Sequence, residues 1–169
     1  MYRHLLVPTD GSPLSDEAIC QAVELARTFG AKIYFLTVTE PFRTFSLHAN
    51  QLTIGTYRKH VEERASRILT EAAKVAVASG VDYELIHLED SQPYEGIIRT
   101  ATQTECDLIA MASHGRRGVS ALVLGSQTVK VLTHSTIPVL VYRSPGQRAK
   151  TVQRDNSVVE PTAVYRIAW

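Results

Sequence analysis

The sequence contains little of what marks several specialised classes of protein. Among its 169 residues there are only two cysteines, Cys20 and Cys106, with no CxxC pair and no histidine at the spacing of a zinc site. We therefore expect no disulfide framework and no cysteine-based zinc site, and both thiols should be reduced and buried. A chain of this length buries roughly 70% of the surface that it exposes when unfolded, so its stability requires neither disulfides nor a metal ion.

The sequence also has no large excess of positive or negative charge. Lys and Arg number 18 against 17 Asp and Glu, which gives a formal net charge of +1. This balance provides no general basic surface for a nucleic acid or an anionic membrane. No apolar run approaches the roughly 20 residues that cross a bilayer, and Pro8 and Asp10 come too early for a signal peptide. We expect a soluble cytoplasmic protein whose partners include neither nucleic acid nor membrane.

What the sequence does contain is a regular alternation of short apolar runs and amphipathic segments. Strands are predicted over residues 5–7, 31–38, 82–88, 107–112 and 137–142. Helices are predicted over residues 13–30 and 56–79, from residue 93, and over 125–133, with Ser12 and Pro13 as a typical helix start. Because the helices are long enough to cross between strands, we predict a single α/β domain with an open five-stranded parallel sheet and helices on both faces.

Two segments fall outside this alternation. Residues 40–55 show no clear period, which predicts a long loop or lid. Residues 144–169 begin with Pro145, Gly146 and several charges, and regain apolar residues near the end. We therefore predict a domain over residues 1–143, followed by a C-terminal tail that is flexible or docks on a partner subunit.

The segment after the fourth predicted strand carries the strongest indication of function. Open parallel sheets bind ligands beyond the carboxyl ends of their strands. Gly115 and Gly125 allow a close backbone approach, and Ser126 opens a helix whose free N–H groups attract anions. Arg116 and Arg117 add positive charge, so the segment favours a polyphosphate-binding loop. A surface loop with turn glycines fits the spacing equally well, and neither GxxxxGK[ST] nor GxGxxG is present.

The run Ala112-Ser113-His114-Gly115, followed after nine residues by Gly125-Ser126, closely resembles the ATP-binding signature Gly-x-x-Gly-x9-Gly-Ser/Thr of the universal stress protein family. Segments 8–12, 36–38, 107–109 and 137–141 resemble that family too, so the resemblance covers residues 1–143. It implies a Rossmann-like fold, similar to the adenine nucleotide alpha hydrolases, with strand order 3-2-1-4-5. It further implies that ATP, with Mg, binds between the first and fourth strands.

The resemblance implies a set of nucleotide-binding residues: Pro8, Thr9, Asp10, Val38, Met111, Ala112, Ser113, His114, Gly115, Arg116, Gly125, Ser126 and Gln127. The two glycines, Ser126 and the backbone of Gln127 would hold the phosphates. Asp10 would contact the ribose and is the candidate metal ligand through Mg-ATP. The backbone of Val38 would meet adenine, and the base would lie between Pro8, Thr9 and Met111.

Several of these positions have a second interpretation. Ala112 stands where the signature has its first glycine, so we expect weakened but not abolished binding. Asp10 is also typical of an Asx turn. His114 is either a phosphate donor or general base, or an exposed loop histidine with no carboxylate to orient it. Arg116 and Arg117 fit a phosphate contact or a solvated basic face.

Three functions remain open at this stage. The leading hypothesis is an ATP-binding stress-response or regulatory protein without efficient turnover, because no complete catalytic set is evident. The second is a slow Mg-dependent ATPase or nucleotidyl transferase that uses His114, Arg116 and Arg117. The third is a dimeric interaction protein that has lost nucleotide binding, which Ala112 would indicate.

The fifth predicted strand would form an exposed sheet edge in a monomer. The resemblance implies a homodimer that covers this edge through Ile137, Val139 and Val141. The apolar end of the tail could then cross to the other subunit.

Overall fold

The computed structural model describes residues 1–41, 51–114, 124–143 and 165–167, with only the backbone described for 51–54 and 165–167. The elements in chain order are β1 (His4–Pro8), α1 (Pro13–Phe29), β2 (Lys32–Thr39), α2 (Gln51–Ala78), β3 (Tyr83–Glu89), α3 (Pro93–Gln103), β4 (Leu108–Ala112), α4 (Ser126–His134), β5 (Val139–Tyr142) and β6 (Tyr165–Ile167).

These strands form one sheet in the order β3-β2-β1-β4-β5-β6. Every pair from β3 to β5 is parallel, which confirms the predicted five-stranded parallel sheet and its order 3-2-1-4-5. The order reverses between β1 and β4. In such sheets the ligand crevice lies at the carboxyl ends of the strands between which the order reverses, which here are β1 and β4.

The reversal also places the helices on both faces of the sheet. On one face, α1 and α2 cover Leu5, Val7 and Phe35. On the other face, α3 and α4 cover Leu6 and Ile109. Leu5 and Leu6 are consecutive and both fully buried, as expected for a central parallel strand. β1 therefore gives a rigid base to the loop that follows it.

The start and end of α1 confirm the local predictions. Ser12 Oγ accepts a hydrogen bond from the N–H of Ser15 at 3.2 Å, and Pro13 occupies the first turn. Gly30 adopts a φ of +64° and closes the helix. Because Ser12 belongs to the loop after β1, this cap also fixes where that loop ends.

Cys20 is exposed on α1, so the prediction that both thiols are buried is wrong for this residue. The buried stripe of α1 includes Ala18, Ile19 and Ala22. Cys20 lies about 100° around the helix from Ile19, which turns its side chain away from the sheet. Cys106 is buried and forms no disulfide, as predicted.

α2 begins at Gln51, so the predicted loop does not extend to residue 55. Gly55 lies inside the helix, where a glycine costs about 1 kcal/mol relative to alanine. This weak helix former obscured the helical period in the sequence. Residues 42–50 of the predicted lid lie outside the described residues, so a lid there stays a prediction.

β6 pairs antiparallel with β5 and places Ile167 opposite Val139. The expectation that β5 is the exposed edge of the sheet is therefore wrong for this structure, because residues of the tail occupy that edge. β5 also begins at Val139 rather than at Ile137. Pro138 lacks the N–H that a ladder residue donates, which accounts for the later start.

Candidate functional site

The loop after β1 is ordered by hydrogen bonds that centre on Thr9. Its N–H donates to the carbonyl oxygen of Leu36 at 2.8 Å, and Thr37 Oγ1 donates to its carbonyl oxygen at 3.2 Å. The buried Thr9 hydroxyl donates to Ser15 Oγ at 3.1 Å and accepts from the N–H of Gly11 at 3.3 Å. Thr9, predicted to lie against the base, thus uses its side chain to hold the loop itself.

Asp10 closes an Asx turn at the carboxyl end of β1. Its Oδ1 accepts a hydrogen bond from the N–H of Ser12 at 3.1 Å. Burial raises the pKa of the nearby Asp16 carboxyl, and the negative charges of Asp10 and Glu71 raise this pKa further. The Asp10 and Asp16 carboxylates are therefore close enough for their charges to interact.

The two ends of the loop after β4 meet at its base. The N–H of Gly125 donates to the carbonyl oxygen of Ser113 at 2.8 Å, and Thr128 Oγ1 donates to that of Ala112 at 3.1 Å. The N–H of Ser113 donates in turn to the carbonyl oxygen of Tyr142 on β5, at 2.7 Å. The two halves of the glycine signature are therefore in contact at the carboxyl end of β4.

Space around Gly125 is tight. A Cβ atom at this position would lie 3.1 Å from His114 Cα and 3.3 Å from the carbonyl oxygen of Ser113. Its φ of −61° is available to any residue. The sequence predicted that this glycine allows the backbone to approach a ligand closely. Within the described residues, the groups that lie close to it belong to Ser113 and His114.

His114 has an orienting partner that the sequence analysis missed. Ser113 Oγ lies 3.0 Å from Nδ1 of the ring, within hydrogen-bond distance, and Ser113 is 1% exposed. The sequence indicated no carboxylate that could orient this ring, and a neighbouring hydroxyl takes that role instead. A ring held through Nδ1 leaves Nε2 to contact a ligand.

α4 begins at the end of this loop without a side-chain cap. Gly125 is its N-cap, and the carbonyl oxygen of Gly125 accepts the first helical hydrogen bond, from the N–H of Val129 at 3.0 Å. The N–H groups of Ser126 and Gln127 precede that bond, so the helix itself offers them no acceptor. These are the groups predicted to hold phosphates, and the helix dipole favours negative charge beside them.

The Gln127 side chain makes a contact that the sequence did not reveal. Its Oε1 accepts a hydrogen bond from the N–H of Tyr94 at 3.1 Å. Tyr94 lies in the first turn of α3, where the N-cap residue Gln92 makes no side-chain cap. The first turns of α3 and α4 are therefore joined through one amide group.

Val38 extends beyond the end of β1, because the pairing of β1 with β2 stops at Pro8 opposite Leu36. The carbonyl oxygen of Leu36 accepts from Thr9 on the β1 side, whereas that of Thr39 accepts from the segment after β3. Backbone groups alternate in direction along a strand, so the N–H and carbonyl of Val38 face the side on which β1 has ended. This position suits the predicted backbone contact with a base.

Met111 and Ala112 end β4 on opposite faces of the sheet. Met111 packs between the sheet and the α3–α4 layer, and alternation places Ala112 on the face of Leu108 and Ala110. Ala112 is 7% exposed, so its methyl group lies within the protein.

The remaining predicted positions lie outside the described residues: Gly115, Arg116 and Arg117.

In the described ranges, no group of three or more His, Cys, Asp or Glu side chains is arranged to hold a metal ion. A cation at Asp10 would therefore need ligands from a bound molecule or from water. Across the same part of the chain, none of the helices combines the length and the apolar character needed to cross a membrane.

Comparison with known proteins agrees with this fold. The model of the universal stress protein family matches residues 1–143. A universal stress protein of Methanocaldococcus jannaschii is 31% identical over 149 residues, which cover 86% of this chain and 84% of that protein.

Two solved structures of the same kind superpose on this chain. A universal stress protein family member from Burkholderia pseudomallei gives a TM-score of 0.70 at 24% identity, covering 85% of this chain and 97% of its own. A universal stress protein in complex with cAMP gives a TM-score of 0.64 at 27% identity, covering 84% of this chain and 98% of its own. Because the family model matches residues 1–143 of the 169, this chain belongs to the universal stress protein family.

Proposed function

We propose that this protein binds ATP, with Mg, in the crevice between β1 and β4, and acts as a cytoplasmic regulatory protein of the stress response. The contact between the two halves of the glycine signature carries the proposal, since the Gly125 N–H lies 2.8 Å from the carbonyl oxygen of Ser113. It brings the uncapped start of α4 to the point where the strand order reverses. A helix N-terminus at that point favours an anionic ligand.

The phosphates of ATP lie against the first turn of α4 in this proposal. The backbone N–H groups of Ser126 and Gln127 donate to them, together with the backbone of Gly115. Ser126 is exposed, so its hydroxyl is accessible to a ligand. Arg116 and His114 supply positive charge and a ring donor beside the phosphates.

The nucleoside lies over the ends of β1 and β2. Asp10, held at the end of β1 by its Asx turn, contacts the ribose and shares Mg with the phosphates. The backbone of Val38 contacts adenine, and Pro8 and Met111 lie beside the base. The structure in complex with cAMP supports adenine nucleotides as the ligand class, since cAMP and ATP have the same base and sugar.

Ala112 in place of the first signature glycine does not argue against this ligand. Its methyl group is buried, and its carbonyl oxygen accepts from Thr128 Oγ1 at 3.1 Å. The residue therefore helps to position α4, and we expect its methyl group to reduce nucleotide affinity only modestly.

The test starts with protein purified without added nucleotide. The protein is denatured, any released small molecule is identified by mass spectrometry, and the stripped protein is titrated with Mg-ATP. We expect adenine nucleotide in the released fraction, or saturable binding in the micromolar range. The proposal would be rejected if no nucleotide were released and if binding did not saturate at millimolar Mg-ATP. A dimeric interaction protein would then remain as the function.

A slow Mg-dependent ATPase or nucleotidyl transferase is the second candidate, and the pairing of Ser113 with His114 favours it. A ring oriented through Nδ1 can act through Nε2 as a donor or a base beside the phosphates. Phosphate release that requires Mg, and that falls much further in His114→Gln than nucleotide affinity does, would establish turnover. A rate equal to the uncatalysed one would leave a binding protein without turnover.

We also propose that the protein forms homodimers through the edge of β5, with Val139 and Val141 in the interface and Ile137 beside it. In the single chain this edge pairs with β6. Dimerisation through β5 therefore requires β6 to leave the edge.

A further inference from the structure

The first turns of α3 and α4 differ in how their N–H groups are satisfied. In α3, the N–H groups of Glu95 and Gly96 donate to the carbonyl oxygen of Gln92, at 2.9 and 3.2 Å. The N–H of Tyr94 has a different acceptor, the side-chain oxygen of Gln127 at 3.1 Å. Since Gln92 provides no side-chain cap, α3 takes its cap from another helix.

The residue that provides this cap sits inside the proposed phosphate-binding turn. Gln127 is the second residue of α4. Gly125, two residues before it, and Thr128, directly after it, are tied to the end of β4: the Gly125 N–H donates to the carbonyl oxygen of Ser113, and the Thr128 hydroxyl to that of Ala112. Those two hydrogen bonds hold the turn against the sheet only. The Gln127 side chain holds it against α3.

We propose that Gln127 is a positioning residue of the nucleotide site: its side-chain amide fixes the first turn of α4 against α3 and so sets the direction of the backbone N–H groups that receive the phosphates. This inference rests on the proposed function. In this inference the Gln127 side chain positions the helix turn, whereas the Gln127 backbone N–H contacts the phosphates. A neutral amide suits the position, because a carboxylate there would place negative charge beside incoming phosphates.

The decisive variant is Gln127→Leu, which keeps the approximate size of the side chain and removes the acceptor. We expect Mg-ATP affinity to fall about tenfold and adenosine affinity to change less than twofold, because adenosine has no phosphates. In protein without nucleotide, amide hydrogen exchange should rise in a peptide that covers residues 125–128.

Two further variants separate positioning from general stability. Glu95→Ala removes the acceptor of the Tyr94 hydroxyl and of the Gln92 amide in the first turn of α3, but leaves the Gln127 contact in place. We expect it to lower stability with Mg-ATP affinity unchanged. We also expect Gln127→Leu to lower the urea midpoint, because α3 loses its cap. Gln92→Ser gives α3 a cap of its own, so the double variant should regain this midpoint without regaining Mg-ATP affinity.

Each outcome decides the matter. An Mg-ATP affinity of Gln127→Leu within twofold of wild type would overturn the inference while leaving the proposed function intact. Recovery of affinity by Gln92→Ser would also overturn it, since Gln127 would then act only on the stability of α3. A wild-type protein that binds no adenine nucleotide would reject the proposed function and this inference together.

Discussion

The backbone N–H of Gly125 donates a hydrogen bond to the carbonyl oxygen of Ser113 over 2.8 Å. This bond joins residues 113 and 125, on either side of the segment between β4 and α4, and sets the start of α4 beside the carboxyl end of β4. On the other side of the crevice, Ser12 and Asp10 order the loop after β1 by a cap and an Asx turn. The loop after β1 and the described ends of the segment after β4 are therefore held by backbone hydrogen bonds and by short polar side chains.

Gly11, in the loop after β1, packs against Ile68 of α2 and should not tolerate a side chain. Its φ is +71°, and a Cβ atom would lie 2.8 Å from Ile68 Cγ1. We expect Gly11→Ala to lower the free energy of unfolding by about 2 kcal/mol or more, from strain and overpacking together. Urea unfolding measures the change.

Gly80 is the matched control for this substitution. It has a φ of +65°, and nothing lies within 4 Å of a Cβ atom at this position. Gly80→Ala should therefore show only the backbone strain, about 1 kcal/mol. Equal losses for the two variants would show that the Ile68 contact relaxes without cost.

Gly55 offers a substitution that should stabilise the protein. It is exposed within α2, and a Cβ atom there would contact nothing within 4 Å. We expect Gly55→Ala to raise the free energy of unfolding by about 0.5–1 kcal/mol, because alanine favours the helix. A decrease on urea or thermal unfolding would show that the helix does not include residue 55.

The two cysteines should differ sharply in reactivity. In native protein, a thiol reagent should label exposed Cys20 and leave buried Cys106 unmodified until the chain unfolds. Rapid labelling of both thiols in native protein, read by mass spectrometry, would contradict the buried position of Cys106.

Burial of Cys106 also predicts a dependence of stability on pH. It raises the pKa of this thiol from 9.0 to about 11, so the unfolded chain loses the proton first. The free energy of unfolding should therefore fall as pH rises from 9.0 towards about 11. Burial of Tyr142 raises its pKa to about 12, so it adds to the same fall at higher pH. Cys106→Ala should show a shallower decline between pH 9 and 10, and an identical slope would contradict this assignment.

The tail should compete with a second subunit for the edge of β5. β6 occupies that edge within the chain. We expect a chain truncated after residue 151 to contain a larger dimer fraction than the full chain, because its β5 edge is open. Light scattering after size exclusion measures both masses, and a smaller dimer fraction in the truncated chain would favour a tail that bridges two subunits.

Local chemistry explains which parts of the fold were predictable. Ser12, Pro13 and Gly30 act within one helical turn, so the sequence alone places the ends of α1 correctly. Cys20 shows the limit of this approach, because an apolar residue one position off a buried stripe is exposed. β6 was missed because pairing across a long intervening segment leaves no local pattern.

The candidate site divides in the same way. The glycine signature and its family resemblance indicate the crevice, and the structure brings Ser113 and Gly125 into contact there. The role of the Gln127 side chain could not be predicted, because its partner Tyr94 lies 33 residues away on another helix. Ser113 beside His114 was overlooked for a different reason, since a neighbouring hydroxyl is too common to indicate a site.

The most direct measurement is a calorimetric titration of stripped protein with Mg-ATP, comparing wild type with Gly125→Val and with Gly55→Ala as the folded control. A valine at 125 would force its side chain against the backbone of His114 and displace the start of α4. We predict micromolar binding by wild type and by Gly55→Ala, and no detectable binding by folded Gly125→Val. Equal affinity in all three proteins would contradict the account, because ATP would then bind elsewhere.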